Sequence, residues 1–199
     1  CCGMPKLELG DLEAVARAKD VNIPALVALV DAGWDIVTPI PSCTLMFKQE
    51  LPLMFPDDAD VAKVRDAIFD PFEYLMLRHK DGALDTEFKT TLGKVSYQVP
   101  CHLRVQNIGL KTRDVLSLVP DTDVEVIERC SGHDGTYAVK KEFHAVSRKI
   151  ARPVVTKVKR AEPDHFVSDC PMAAEQIALD LDSTDAANPM RLLRTAYGI

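Results

Sequence analysis

Four of the six cysteines follow segments with the apolar pattern of a short β-strand. The predicted strands and their cysteines are residues 34–38 with Cys43, 94–99 with Cys101, 123–128 with Cys130 and 165–168 with Cys170. In open α/β sheets, ligands bind at the edge where the carboxyl ends of parallel strands meet. The pattern therefore predicts that these thiols reach one rim of a folded sheet.

Helical patterns separate the predicted strands, and this alternation indicates an α/β fold. The predicted helices cover residues 11–20, 23–31, 44–54, 58–69, 72–80, 110–118, 137–150, 153–160, 172–181 and 189–197. We expect short, mostly parallel sheets flanked by helices, with the cysteines at the strand carboxyl ends.

The chain also contains an internal repeat. The paired positions are Cys2-Gly3 with Cys130 and Gly132, Pro24 with Pro153, Cys43 with Cys170, and Gln49 with Gln176. A repeat of this kind predicts two pseudo-repeated halves, residues 1–90 and 91–199, each with its own cysteine site.

Composition narrows the classes of function. The formal net charge of −6 argues against a nucleic-acid surface, which concentrates Lys and Arg. The chain has neither an apolar run long enough to span a bilayer nor a signal peptide pattern, so we expect a cytoplasmic protein. Contact with the inner face of a membrane would then require another subunit. In such a chain, cysteines favour metal binding or redox chemistry over disulfides.

The cysteines form two candidate ligand sets, one in each half: Cys1, Cys2 and Cys43, and Cys101, Cys130 and Cys170. Thiolates suit zinc and iron–sulfur clusters, which both tend toward four protein ligands. Each half therefore leaves one position open. Because the chain begins at Cys1 without an initiator Met, we expect a further ligand to lie upstream.

Five motifs in order along nearly the whole chain resemble the tandem cysteine-rich CCG domain family, whose members include subunits of heterodisulfide reductase and of anaerobic glycerol-3-phosphate dehydrogenase. These motifs are Cys1-Cys2-Gly3, Pro41-Ser42-Cys43, Val99-Pro100-Cys101-His102-Leu103, Cys130-Ser131-Gly132-His133-Asp134-Gly135-Thr136-Tyr137 and Asp169-Cys170-Pro171. The glycerol-3-phosphate dehydrogenase type is the closest match.

The resemblance implies an iron–sulfur electron-transfer subunit of a larger oxidoreductase, with a cluster of the 4Fe–4S type. Its implied partners are an upstream ferredoxin-like segment or subunit and a flavoprotein or other redox subunit, with a quinone or a disulfide as acceptor. In the family pattern, Cys1 and Cys2 match the Cys-Cys-Gly pair and Cys43 the last Cys of Cys-x-x-Cys. Cys101 matches the upstream Cys and Cys130 the first of the second pair.

The role of Cys170 stays open, because the family pattern makes it the first Cys of Cys-x-x-Cys and the internal repeat makes it the last. Ser131 and Ala173 stand where the family has ligands. His133, His102, Asp169, a water or a substrate would fill the open position, and three Cys with one His would suit zinc.

Three other interpretations compete with these. In the first, the domain is a non-catalytic scaffold whose degenerate sites hold zinc or no metal. In the second, its thiols exchange with disulfides, although the chain lacks an intact Cys-x-x-Cys. The segment from Gly132 to Gly135 resembles an anion-binding turn, but we interpret it as the bend around the cysteine site.

Overall fold

The structure is a computed structural model that describes residues 1–133, 138–181 and 186–199. In chain order its helices and strands are α1 (Met4–Glu8), α2 (Leu12–Asp31), β1 (Ile36–Val37), α3 (Pro41–Leu45), α4 (Leu51–Met54), α5 (Ala59–Ala67), β2 (Ile68–Phe69), α6 (Pro71–Lys80), β3 (Gly93–Gln98), α7 (Cys101–Arg104), α8 (Lys111–Leu116), β4 (Thr122–Ile127), α9 (His144–Ala161), β5 (His165–Ser168), α10 (Pro171–Ala178), β6 (Ala186–Ala187) and α11 (Pro189–Tyr197). A π-helical turn (Met46–Glu50) joins α3 to α4, and a 3₁₀ turn (Lys141–Phe143) precedes α9.

A parallel sheet with the strand order β4-β3-β5-β6 organises the second half of the chain. The predicted strands at residues 94–99 and 123–128 are confirmed to within one residue at each end, and the strand at residues 165–168 is confirmed without change. The α/β prediction with parallel sheets flanked by helices is also confirmed. Strand β6 was not predicted, because two alanines carry no alternating pattern.

A smaller parallel sheet, β1 with β2, lies in the first half. The buried strand predicted for residues 34–38 is wrong in extent, since β1 has only two residues and Trp34 is 66% exposed. The helix predicted for residues 58–69 ends at Ala67, because Ile68 and Phe69 pair with β1 instead. Their apolar side chains fit a helical pattern equally well, so the sequence alone does not separate the two states.

Each half contains one long helix with an internal proline, Pro24 in α2 and Pro153 in α9. The sequence predicted a break before each proline, and in both cases the helix is continuous. Buried Val15 and Ile23 before Pro24, with half-buried Leu26 and Val27 after it, hold α2 against one core in spite of the missing N–H. The helix predicted for residues 137–150 starts at a residue outside the described ones, and its described part is α-helical only from His144, because residues 138–143 form a turn and a 3₁₀ turn. No helix in the described part of the chain is long and apolar enough to cross a bilayer.

Three clusters of buried apolar side chains form the core. One joins α2, the helices from α3 to α5 and β2 in the first half. The other two cover opposite faces of the four-stranded sheet, one with side chains from α8 and α11 and the other with side chains from α9 and α10. Phe72 of α6 packs in the cluster that contains side chains from α8 and α11, so α6 lies against the core of the second half. The strand ends that carry the cysteines are therefore held between two layers of helices.

Candidate metal centre

Cys101, Cys130 and Cys170 line a single cleft of about 120 Å³ at the carboxyl ends of β3, β4 and β5. The three thiols come from distant parts of the sequence, and the parallel sheet brings their segments together. The cleft also receives residues from the first half of the chain. Its other lining residues are Glu8, Pro41, Ser42, Pro100, His102, Ser131, His133 and Ala173.

Each thiol is placed by a short connection after its strand. Cys101 is the first residue of α7 and is exposed, while Cys170 is the N-cap of α10 and is half-buried. In both helices a proline, Pro100 or Pro171, lies next to the cysteine at the helix start, where its fixed φ and missing N–H are tolerated. The chain therefore turns abruptly from strand to helix at both thiols.

Cys130 lies in a tight turn whose geometry depends on Gly132. The Gly132 N–H donates to Cys130 Sγ at 3.4 Å, and Gly132 has φ +77°. The Gly132 carbonyl accepts a 2.7 Å hydrogen bond from Ser147 of α9, whose hydroxyl accepts one from Gln176 of α10 at 2.6 Å. Two helices thus anchor the turn, and an amide hydrogen points at the sulfur. This donor would stabilise a thiolate or a metal-bound sulfur.

The two candidate histidine ligands line the same cleft but differ in their contacts. His102 Nε2 lies 3.4 Å from the carboxylate of Glu8 in α1, at the surface. His133 is half-buried, and its backbone N–H donates to Ser131 Oγ at 3.3 Å. The remainder of the predicted turn, Asp134 and Gly135, lies outside the described residues.

In the first half, Cys2 and Cys43 are hydrogen-bonded through their side chains. The Cys2 thiol donates to Cys43, which lowers the pKa of Cys43 to about 6, and the same bond together with burial raises the pKa of Cys2. Cys1 is exposed, and its carbonyl accepts a 2.9 Å hydrogen bond from Asn22 of α2. The structure therefore brings Cys2 and Cys43 together, and neither of them is among the residues that line the cleft.

This contact gives a testable pH dependence. Replacing Cys2 with alanine removes the donor, so we expect the pKa of Cys43 to rise. In metal-free protein at pH 6.5, alkylation of Cys43 should slow by about tenfold, because the thiolate is the reacting form. Peptide mass spectrometry of iodoacetamide-treated samples measures the rate, with Cys170 as an internal reference. Cys2→Ser keeps a hydrogen-bond donor, so it should slow the alkylation of Cys43 less. An unchanged rate in Cys2→Ala would show that Cys2 does not lower the pKa of Cys43.

The glycines of the two cysteine turns support the internal repeat. Gly3 and Gly132 both have positive φ, +99° and +77°. A Cβ on Gly3 would face Val15 and Ala18 of α2, and one on Gly132 would face Ser147 and Ala151 of α9. Each turn therefore packs against the long helix of its own half.

The helix starts that follow β1 and β5 bear on the role of Cys170. The N-cap residues are Ile40 and Cys170, and each is followed by a proline at the first helical position. This correspondence pairs Cys170 with Ile40, and Cys43 with Ala173. It agrees with the family pattern, which makes Cys170 the first Cys of Cys-x-x-Cys, and it differs from the repeat pairing of Cys43 with Cys170.

Residues 95–177 match the model of the CCG family, described as a cysteine-rich domain. These residues are therefore similar to a CCG cysteine-rich domain. The match begins inside β3, ends in α10 and contains all three thiols of the cleft.

Three relatives represent the range of similarity. A subunit of anaerobic glycerol-3-phosphate dehydrogenase from Escherichia coli (strain K12) is 27% identical over 98% of this chain and 49% of its own length. A subunit of fumarate reductase (CoM/CoB) from Methanothermobacter marburgensis is 24% identical over 99% of this chain and 38% of its own. Lactate utilization protein A of Anoxybacillus flavithermus is 26% identical over 85% of this chain and 71% of its own length. The chain is thus similar to subunits of oxidoreductases, and it spans about half the length of the first of them.

The arrangement of donors limits what the cleft can hold. Among the residues that the structure describes, no group of three or more His, Cys, Asp or Glu side chains is placed to hold a single metal ion. The three thiols lie on the walls of the cleft. Sequence reasoning identified these thiols and the two histidines, but it missed Glu8, which carries no motif. Pro41 and Ser42 belong to a motif of the first half, and they line this cleft because the two halves pack together.

Proposed function

We propose that this chain is the cysteine-rich part of an electron-transfer subunit of a larger oxidoreductase, and that Cys101, Cys130 and Cys170 hold an iron–sulfur cluster. The observation that carries the proposal is the meeting of three thiols from three strand ends in one cleft of a CCG domain. The similarity of the chain to subunits of a dehydrogenase and a reductase agrees with it.

The donor set fits such a cluster in its chemistry. Thiolates are the usual ligands of iron–sulfur clusters, and N–H groups directed at sulfur tune their reduction potentials. The Gly132 amide supplies such a donor to Cys130. Thiols on the walls of a cleft suit a group of several atoms better than a single ion, which needs its ligands to converge at about 2.3 Å from one point. His133 and His102 remain the candidates for an additional ligand, and a quinone, a disulfide or water would use an open position.

The chain's own residues supply binding and orientation. The cluster, when bound, accepts and releases single electrons. The prolines at the helix starts and the anchored turn at Gly132 fix the directions from which the thiols approach. The proposed ligand set of Cys101, Cys130 and Cys170 lies in residues 91–199. A second proposed ligand set, Cys1, Cys2 and Cys43, lies in residues 1–90. We expect a ferredoxin-like segment or a flavoprotein as the electron donor, at the cytoplasmic face of the complex.

Metal and sulfide analysis tests this proposal. Full-length protein purified without oxygen should contain iron and acid-labile sulfide, and the variant with Cys101, Cys130 and Cys170 all replaced by alanine should lose most of the content assigned to the cleft. Ser131→Ala is the matched control, since it changes the same cleft without removing a thiol. Equal iron and sulfide in the wild type and the triple variant would reject the cleft as the binding site.

A scaffold function is the second candidate. The absence of a preformed group for a single ion among the described residues favours it, as do Ser131 and Ala173 at two ligand positions of the family pattern. The same analysis separates the two functions. Zinc without sulfide, or colourless protein whose thermal stability does not change on chelation, would support the scaffold.

A further inference from the structure

Gln98, the last residue of β3, has a fully enclosed side chain that reaches two neighbouring segments. It is 1% exposed, and its Nε2 donates to the carbonyls of Val99 and Arg129, both at 2.9 Å. Val99 lies two residues before Cys101, and Arg129 immediately precedes Cys130. One amide group therefore bonds to the backbone on the approach to two of the three thiols.

Ser168, the last residue of β5, connects the third thiol to this amide. Its hydroxyl is completely buried, donates to Gln98 Oε1 at 2.7 Å, and accepts the backbone N–H of Cys170 at 3.4 Å. Gln98 and Ser168 are register partners in neighbouring parallel strands. Four hydrogen bonds thus link the segments that carry Cys101, Cys130 and Cys170.

These bonds lie beyond the regular hydrogen bonding of the sheet. The pairing of β3 with β4 ends at Gln98 and Ile127, and the Val99 N–H bonds to the Ile127 carbonyl at 3.1 Å. The Arg129 carbonyl lies two residues beyond Ile127, after this last ladder bond. At this point the Gln98 side chain, and no longer the backbone, donates the hydrogen bond to the neighbouring segment. It therefore fixes the position of the backbone immediately before Cys130.

We propose that Gln98 and Ser168 are positioning residues of the candidate metal centre, which fix the relative placement of its three thiols. The inference rests on the proposed function, because it assigns the two side chains to the ligand set of that site. Neither residue touches the cleft, so each acts through the backbone of a cysteine segment. A ligand set with fixed spacing loses its metal group more slowly, because the bound geometry is already present.

The first test uses metal-free protein and therefore does not depend on a cluster. Ser168→Ala removes the acceptor of the Cys170 N–H, and we expect alkylation of the half-buried Cys170 to accelerate about fivefold, the effect of losing about one buried hydrogen bond. Ser96→Ala is the matched control: Ser96 is an equally buried serine of β3 whose hydroxyl bonds to none of the described residues. Alkylation of Cys43 in the same samples serves as the internal reference.

A conservative variant guards against general loss of structure. Ser168→Thr keeps the hydroxyl, so its Cys170 alkylation rate should stay close to that of the wild type, while thermal unfolding midpoints report the fold of every variant. If Ser168→Ala leaves the Cys170 rate unchanged, or if Ser96→Ala raises it equally, Ser168 does not position Cys170 and the inference is wrong.

The second test addresses the loaded protein. In Gln98→Met, which keeps the length of the side chain without its amide, iron should pass to a chelator about tenfold faster than in the wild type, as expected for loss of an outer-shell partner. Ser96→Ala should release iron at the wild-type rate. Equal rates in Gln98→Met and the wild type would overturn the assignment of Gln98. Wild-type protein without iron and sulfide would instead reject the proposed function, and the alkylation result would still decide whether Ser168 positions Cys170.

Discussion

Replacing Gly132 with alanine is expected to lower the free energy of unfolding by about 4 kcal/mol, the upper range for a single substitution. Two effects add at this position. A residue other than glycine at φ +77° costs on the order of 1–3 kcal/mol. The added Cβ would also lie 2.2 Å from the carbonyl oxygen of Ser147, a buried residue of α9 whose backbone cannot move as freely as a side chain.

Gly3→Ala is the matched control for this effect. Gly3 occupies the corresponding turn of the first half with φ +99°, but its nearest neighbours to an added Cβ are 3.6 Å away, an ordinary contact. We expect a loss of about 1–2 kcal/mol there, from the backbone conformation alone. Urea denaturation followed by circular dichroism measures both variants. Equal losses at the two glycines would show that the contact with α9 does not constrain the turn that carries Cys130.

Three strands of the four-stranded sheet, β3, β4 and β5, were predictable because they carry local patterns. The segments of β3 and β4 alternate in polarity, and β5 is a short apolar run between turn residues, so local sequence was enough to find them. The two-residue strands β2 and β6 exist only because a neighbouring strand offers its backbone. Pairing of this kind depends on tertiary contact, which no window of sequence contains.

In the long helices the sequence predicted a feature that the structure does not have, a break before each internal proline. A proline inside a helix costs about 3 kcal/mol in an exposed model helix, which justified the predicted breaks at Pro24 and Pro153. In α9, buried apolar residues on both sides of Pro153 pack on one face of the sheet, among them Ala151, Val154 and Val158. The burial of a continuous face outweighs the missing hydrogen bond, and this balance is set by packing.

The candidate site also has residues that the sequence predicts and residues that it does not. The cysteines were identifiable because thiols after strand ends form a pattern, and the parallel sheet brings three of them into one cleft. The residues that hold them in place carry no pattern. Gln98 and Ser168 are a buried glutamine and a buried serine 70 residues apart in the chain, and their bond is apparent only from the strand register.

Two buried carboxyl groups lie where the halves of the chain meet. Asp70 is the N-cap of α6 and is 2% exposed, and Asp169 precedes Cys170 and is 4% exposed. Asp169 accepts hydrogen bonds from Tyr97 Oη at 2.6 Å and Thr112 Oγ1 at 2.8 Å. Asp70 accepts from the backbone N–H groups of Phe72 and Glu73.

Burial, with a further contribution from the negative charge of Asp169, raises the pKa of Asp70 to about 7. Burial also raises the pKa of Asp169 to about 6. Glu73, which is ion-paired with Lys48, is the other acidic group that faces Asp70, and it adds a smaller upward effect. The folded protein therefore keeps a proton on Asp70 that the unfolded chain, with a carboxyl pKa near 3.8, has already lost.

The free energy of unfolding should therefore fall as the pH rises from about 4 to about 7 and level off above that. With 1.36 kcal/mol for each unit of pKa difference, Asp70 alone contributes a change on the order of 4 kcal/mol. Asp70→Asn keeps the oxygen that caps α6 and removes the charge, so it should flatten this slope. The variant should be more stable than the wild type at pH 8 and close to it at pH 5, as measured by urea denaturation at each pH.

Asp58 offers a control of the opposite sign. It is the N-cap of α5, and the hydrogen bond from Lys19 lowers its pKa, so its contribution is present at neutral pH and is lost only as the pH falls through the carboxyl range. Asp58→Asn should therefore keep the wild-type slope between pH 5 and 8 while losing a constant, small amount of stability. If Asp70→Asn also keeps that slope, Asp70 is ionised in the folded protein, and burial between the two halves does not hold its proton.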